Sequence, residues 1–248
     1  MVNFVVSLVA LAFTLVFAGF VLNRWQHKHL PHLLLWGIGL VLYGIGTLAQ
    51  AYLTAFNWRP GDSGHDLAFR AWYLTGAILT SAWLGQGSVY LLAPRRFAHI
   101  AMIVLGLMSL GAVVFMFTTT FQEPNYSNMI GGLQQGGTLT GKKIVEGGAI
   151  FTVPFNIYGT ITLGGGALWS AYQFWRKKVM ANRMIGNLFI AVGAFFPAVG
   201  GVLSDLHAEG FLYWGILGGA ILMFVGFMKA SAPATASAKI EQQLAVKA

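Results

Sequence analysis

Residues 33–56 read LLLWGIGLVLYGIGTLAQAYLTAF, 24 consecutive positions without Asp, Glu, Lys, Arg or His. A bilayer core of about 30 Å is crossed by about 20 apolar residues in helical form. The run therefore predicts a transmembrane helix, with Pro31 just ahead of it where a first-turn proline is favoured. The same reading applies along the rest of the chain. Apolar runs at residues 2–22, 67–92, 100–118, 149–175, 184–203 and 210–228 each reach spanning length, which makes seven spans in all. Arg59-Pro60-Gly61-Asp62, Ala93-Pro94-Arg95-Arg96 and Arg176-Lys177-Lys178 punctuate them. The expected fold is all-α, a polytopic membrane protein: a seven-transmembrane-helix bundle over residues 1–229, followed by a short tail at 230–248. The first run lacks a basic leader and a small-residue cleavage motif, so a retained helix is expected rather than a signal peptide.

Composition agrees. Of 248 residues, 56% are hydrophobic and only 9% are charged, against about 25% in soluble domains. Mean hydropathy is +0.68. Too few charges are present to cover a water-facing surface. The formal charge of +8 would suggest nucleic acid in a soluble chain. Here it sorts by loop: 11 of the bases fall on one side of the seven spans and 4 on the other, with six of the seven acids on the base-poor side. Cytoplasmic loops collect Lys and Arg. The N-terminus is therefore expected outside and the C-terminus in the cytoplasm of a prokaryotic plasma membrane, with the basic face against anionic headgroups and no nucleic-acid partner. The chain has no cysteine, which excludes disulfides, thiolate zinc sites and cysteine nucleophiles.

Residues 119–148 form the one long loop, and the turn at Gly141 between β-prone stretches suggests an outer hairpin. Asn125-Tyr126-Ser127 matches a glycosylation sequon, a short pattern of low specificity. A short helix is expected near 239–246. Thr75-Gly76-Ala77-Ile78-Leu79 and Gly218-Gly219-Ala220-Ile221-Leu222 each follow an aromatic pair. This suggests a parallel 3+1+3 repeat, a device known from transporters.

No ionisable residue lies near the middle of any span. Such residues mark proton relays, ion paths and voltage sensors, so those functions are not expected, nor is a retinal-type Schiff base. No catalytic constellation and no cofactor motif is visible, and an enzyme is not expected. The spans do carry amides, hydroxyls and aromatics on common faces. Tyr43 and Gln50 in the second span, Trp83 and Gln86 in the third, Asn156 and Tyr158 in the fifth and Asn187 in the sixth are the candidate ligand-binding residues. They suit a neutral or lipophilic small molecule held between helices, with packing across helices as the plain alternative. Gly-rich runs such as Gly164-Gly165-Gly166 are read first as packing surfaces.

At the outer rim, His65, Asp66, Arg70, Asp205, His207 and Glu209 make a charge cluster. It is read as a solvated set of ion pairs rather than a metal site, with Arg70 requiring a carboxylate or an anionic group. At the inner rim His27, His29, His32 and His99 sit among bases and suit lipid headgroups better than a metal. The seven-span, N-outside plan resembles opsins, seven-helix receptors and 3+1+3 sugar transporters. The Trp-led helix from Trp36, Tyr43 in its middle and the pair Trp72-Tyr73 are similar to the membrane regions of some bacterial sensor kinases. The Pro-Gln pair that marks the sugar transporters is missing, and no functional residue is carried over. The leading expectation is a sensor or binding module. An accessory subunit of a larger membrane complex and a facilitative transporter of an uncharged solute are the alternatives.

Overall fold

The computed structural model describes residues 2–56, 63–120, 145, 147–178, 180–205 and 210–231. Among these the fold is all helical, with no strand. Its helices are α1 (Val2–Lys28), α2 (Pro31–Ala55), α3 (Ser63–Ala71), α4 (Thr80–Leu92), α5 (Arg95–Thr118), α6 (Ala149–Gly159), α7 (Gly166–Arg176), α8 (Ala181–Asp205) and α9 (Phe211–Ser231). Five of them, α1, α2, α5, α8 and α9, are long and apolar enough to cross a membrane, which points to a membrane protein. The expected hairpin and sequon in the long loop, and the helix in the tail, lie outside the described residues.

The third and fifth predicted spans are continuous helical runs, at residues 63–92 and 149–176, but neither is one regular helix. Trp72–Leu79 joins α3 to α4 as a π-helix, and Thr160–Gly165 joins α6 to α7 in the same way. In the first, both the backbone N–H and the hydroxyl of Thr80 donate to the Thr75 carbonyl five residues back. A π turn widens the helix and takes backbone groups out of the ordinary i→i−4 ladder. In hydrocarbon those groups need another partner. Asn156 of α6 supplies one, donating from Nδ2 to the Ala77 carbonyl at 2.8 Å. The two stretches matched as a repeat take different backbones: residues 75–79 fall in the π segment, residues 218–222 in the regular helix α9.

Lipid gives no hydrophobic drive for one helix to bury against another, so close approach and hydrogen bonds hold the bundle. The pair α8–α9 packs closest. Gly186 and Gly193 on α8 face Gly226 and Gly219 on α9, at matching seven-residue steps. A Cβ on Gly193 would lie 2.8 Å from the Met223 nitrogen, so no side chain fits there. Gly46 meets Gly76 in the same manner and lets α2 touch the first π segment backbone to backbone. By contrast α5 is peripheral. Ile103, Leu107, Leu110 and Val114 along its outer face are each about two-thirds exposed, a lipid-facing row.

Three side chains from the 63–92 run attach α5 along its length. Arg70 donates to the Met116 carbonyl, Trp83 Nε1 to Ser109 Oγ at 3.2 Å, and Gln86 Nε2 to the Ala98 carbonyl at 2.9 Å. Met116 lies in the last turn of α5, where carbonyls have no partner within the helix and a cation is favoured.

Candidate functional site

The two π segments border one cavity of about 320 Å³. It lies between α2, the 72–79 and 160–165 segments, α4, α6, α8 and α9. Tyr43, Thr47 and Gln50 line it from α2, Trp72 and Gly76 from the first π segment, and Thr80 and Ser81 from α4. Asn156 and Thr160 stand across from them, and Leu84, Leu163, Ile216 and Met223 complete an apolar wall. Asn156, Thr160 and Ala198 are exposed, so the cavity opens sideways between α6 and α8. No charged side chain is among its lining residues.

The hydrogen-bond inventory of the lining is lopsided. Tyr43 Oη donates to the Ile216 carbonyl at 2.7 Å, and Thr47 Oγ1 donates to the Tyr43 carbonyl at 2.9 Å. Thr80 Oγ1 donates to the Thr75 carbonyl at 2.6 Å, and Ser81 Oγ to Asn156 Oδ1 at 3.1 Å. Both Asn156 N–H groups are taken, by the Ala77 and Thr152 carbonyls. A hydroxyl that has given its proton keeps lone pairs, so this wall offers acceptors. Gln50 is the exception. It is 1% exposed and lies beside the Tyr213 hydroxyl, but its amide nitrogen makes no well-formed hydrogen bond among the described residues. A buried donor left unmade costs about 1–3 kcal/mol, and a bound acceptor would relieve it.

The seven candidate ligand residues fall into two groups. Tyr43, Gln50 and Asn156 share the cavity. Gln86 instead joins three helices: its nitrogen holds the Ala98 carbonyl and its oxygen accepts from Tyr158 Oη. Trp83 is tied to Ser109, and Asn187 donates to the Arg183 carbonyl one turn back on its own helix. The sequence pattern passed over Trp72, Ser81 and the α9 contribution of Ile216 and Met223. Trp72 stood on a polar-aromatic face, which was a usable signal. Ile216 and Met223 carry none, because apolar residues in a membrane helix do not announce which way they turn.

In the outer-rim cluster, His65 is buried with its ring edge on Tyr52, 5.6 Å between centroids. Arg70 reaches the α5 terminus, and Asp66 Oδ1 is buried without a hydrogen bond among the described residues. Asp205 ends α8, while His207 and Glu209 lie outside the described residues. No group of three metal-ligating side chains occurs among the described residues. At the other end the histidines have local partners: His27 donates to the Asn23 carbonyl at 2.8 Å, His32 sits edge-on to Trp36, and His99 Nδ1 lies 2.9 Å from Tyr90 Oη. No protein-family model, curated protein or solved structure matches this chain.

Proposed function

We propose that this chain is a seven-span protein of a prokaryotic plasma membrane, N-terminus outside, that binds a neutral, partly lipophilic small molecule in the cavity beneath its two π segments. The seven spans are the five long helices together with the two π-interrupted runs. The observation that carries the binding reading is Gln50, a buried amide, at the wall of an uncharged cavity, whose N–H groups make no well-formed hydrogen bond among the described residues. The volume of about 320 Å³ lies at the small end of the roughly 300–1,000 Å³ usual for small-molecule sites. The inventory of the wall specifies the ligand's chemistry: an acceptor such as a carbonyl for Gln50, and a hydroxyl or N–H group for the acceptors of Tyr43, Thr47, Thr80 and Ser81. The sideways opening suits a ligand that partitions into lipid before it binds. The role is that of a sensor or binding module, not an enzyme, with any response passed to a partner protein. The transporter alternative leaned on the internal repeat, whose two matched stretches take different backbones.

Native mass spectrometry of gently extracted full-length protein tests this. The wild type should carry a small-molecule adduct. The adduct should vanish in Gln50→Leu, which removes the donor, and in Ala194→Trp, which fills the cavity from α8. A bare wild-type chain, or an adduct that survives both substitutions, sinks the binding reading and favours the accessory-subunit alternative.

A further inference from the structure

A second pocket, of about 430 Å³, lies where α7 turns into α8 and is lined by Phe174, Trp175, Arg176, Lys178, Ala181 and Met184. It has an apolar floor and two cations. Trp175 also ends an aromatic ladder on α7. Trp169, Tyr172 and Trp175 follow at three-residue steps, with ring centroids 5.8 and 6.0 Å apart, and all three are exposed. Exposed Trp and Tyr in this arrangement belong at the headgroup level of a bilayer. Among the described residues the only carboxylates are Asp66 and Asp205, both at the opposite end of the bundle. Arg176 and Lys178 are therefore not neutralised by a carboxylate among those residues.

The turn itself is unusual. Lys178 has φ +51° and Met180 φ +55°, the left-handed region where glycine is the easy choice. Lys178 occupies the position just past the end of α7, its backbone N–H bonded to the Trp175 carbonyl at 3.1 Å. A lysine held in a glycine's conformation incurs backbone strain, and Lys178 is one of the residues that line the pocket.

We infer that this pocket is a specific site for an anionic phospholipid. The phosphate would lie between Arg176 and Lys178, and an acyl chain would lie along Phe174, Met184 and the aromatic ladder. The inference rests on the membrane reading but not on the central cavity. Because glycine suits the left-handed position better than lysine, Lys178→Gly removes the charge without threatening the fold. The test uses full-length protein in detergent, titrated with phosphatidylglycerol or phosphatidylcholine and followed by native mass spectrometry. With two bases near one headgroup, phosphatidylglycerol should bind about 30-fold more tightly. In Arg176→Gln/Lys178→Gly the preference should fall to about threefold or less, with thermal stability unchanged or raised. Equal binding of both lipids by the wild type, or a preference intact in the double variant, overturns the site. Displacement of the lipid by millimolar glycerol 3-phosphate overturns the lipid as occupant in favour of a free phosphate. A chain that fails to insert into lipid nanodiscs overturns the membrane reading, and this inference with it.

Discussion

Gln50 and Gln86 are the same residue type, both buried in the bundle, and their surroundings give them opposite consequences. Gln86 satisfies its amide on both sides, through the Ala98 carbonyl and Tyr158. Gln50 has only the Tyr213 hydroxyl beside it and makes no well-formed donor bond at the edge of empty space. Replacing a satisfied amide strands its partners, whereas replacing an unsatisfied one relieves a penalty. Gln50→Leu should therefore raise the stability of ligand-free protein by about 1 kcal/mol while abolishing ligand binding. Gln86→Leu should lower stability by about 1 kcal/mol, in keeping with interhelical hydrogen bonds in membranes that average about 0.6 and reach about 1.7 kcal/mol. It should leave the cavity's ligand in place. Thermal unfolding of each variant in nanodiscs, with and without ligand, reads both signs. A destabilised Gln50→Leu would mean that the Gln50 amide is a packing contact.

At the scale of the helices, hydropathy made the five long apolar helices legible because apolar length is a property of composition. Pro31 and Pro94 marked where helices begin, and the basic run at Arg176 marked where one ends. The polar face of α2 was legible too, since Tyr43 and Gln50 stand seven residues apart, and both line the cavity together with Asn156 of α6. The π segments were not. Thr75 and Thr80 are five apart, a spacing that means nothing until Thr80 donates twice to the Thr75 carbonyl. Nor does a list of Gly positions show which helix each will meet. Gly46–Gly76 and the α8–α9 glycines are pairings between separate helical segments, fixed by how those segments pack rather than by local sequence. The α8–α9 contact makes its own prediction. Gly193→Val places a branched side chain where a Cβ alone comes within 2.8 Å of the facing backbone. Overpacking of this kind costs about 1–3 kcal/mol, so melting should fall clearly. Gly106→Val on peripheral α5, where a Cβ meets nothing within 4 Å, should leave melting almost unchanged. Equal effects of the two would remove the close-packed α8–α9 pair from the account of stability.

For the molecule as a whole, the proposed orientation rests on the distribution of charge, and the leaflet that the pocket at the α7–α8 turn would face depends on it. Arg24, Arg95, Arg176 and Lys229 stand at one end of the bundle. That end is bound together by polar contacts: Arg24 donates to the Ser231 carbonyl at 3.2 Å, which joins the end of α1 to the end of α9. Arg176 and Lys229 lie in the last turns of their helices, where a cation complements the partial negative charge; in the proposed plan the whole basic surplus faces one side of the membrane. The absence of cysteine makes orientation directly measurable, since any single Cys introduced is the only thiol. Ser63 and Arg95 are both exposed, at the start of α3 and the start of α5. An impermeant maleimide should label Ser63→Cys in intact spheroplasts and should label Arg95→Cys only after the membrane is opened. The reverse pattern would invert the protein and carry the basic pocket to the outer leaflet. Labelling of both from one side would mean that the 63–92 run, with its π segment, does not cross the bilayer at all. The cavity would then lie at the membrane surface, where a water-soluble ligand would have direct access.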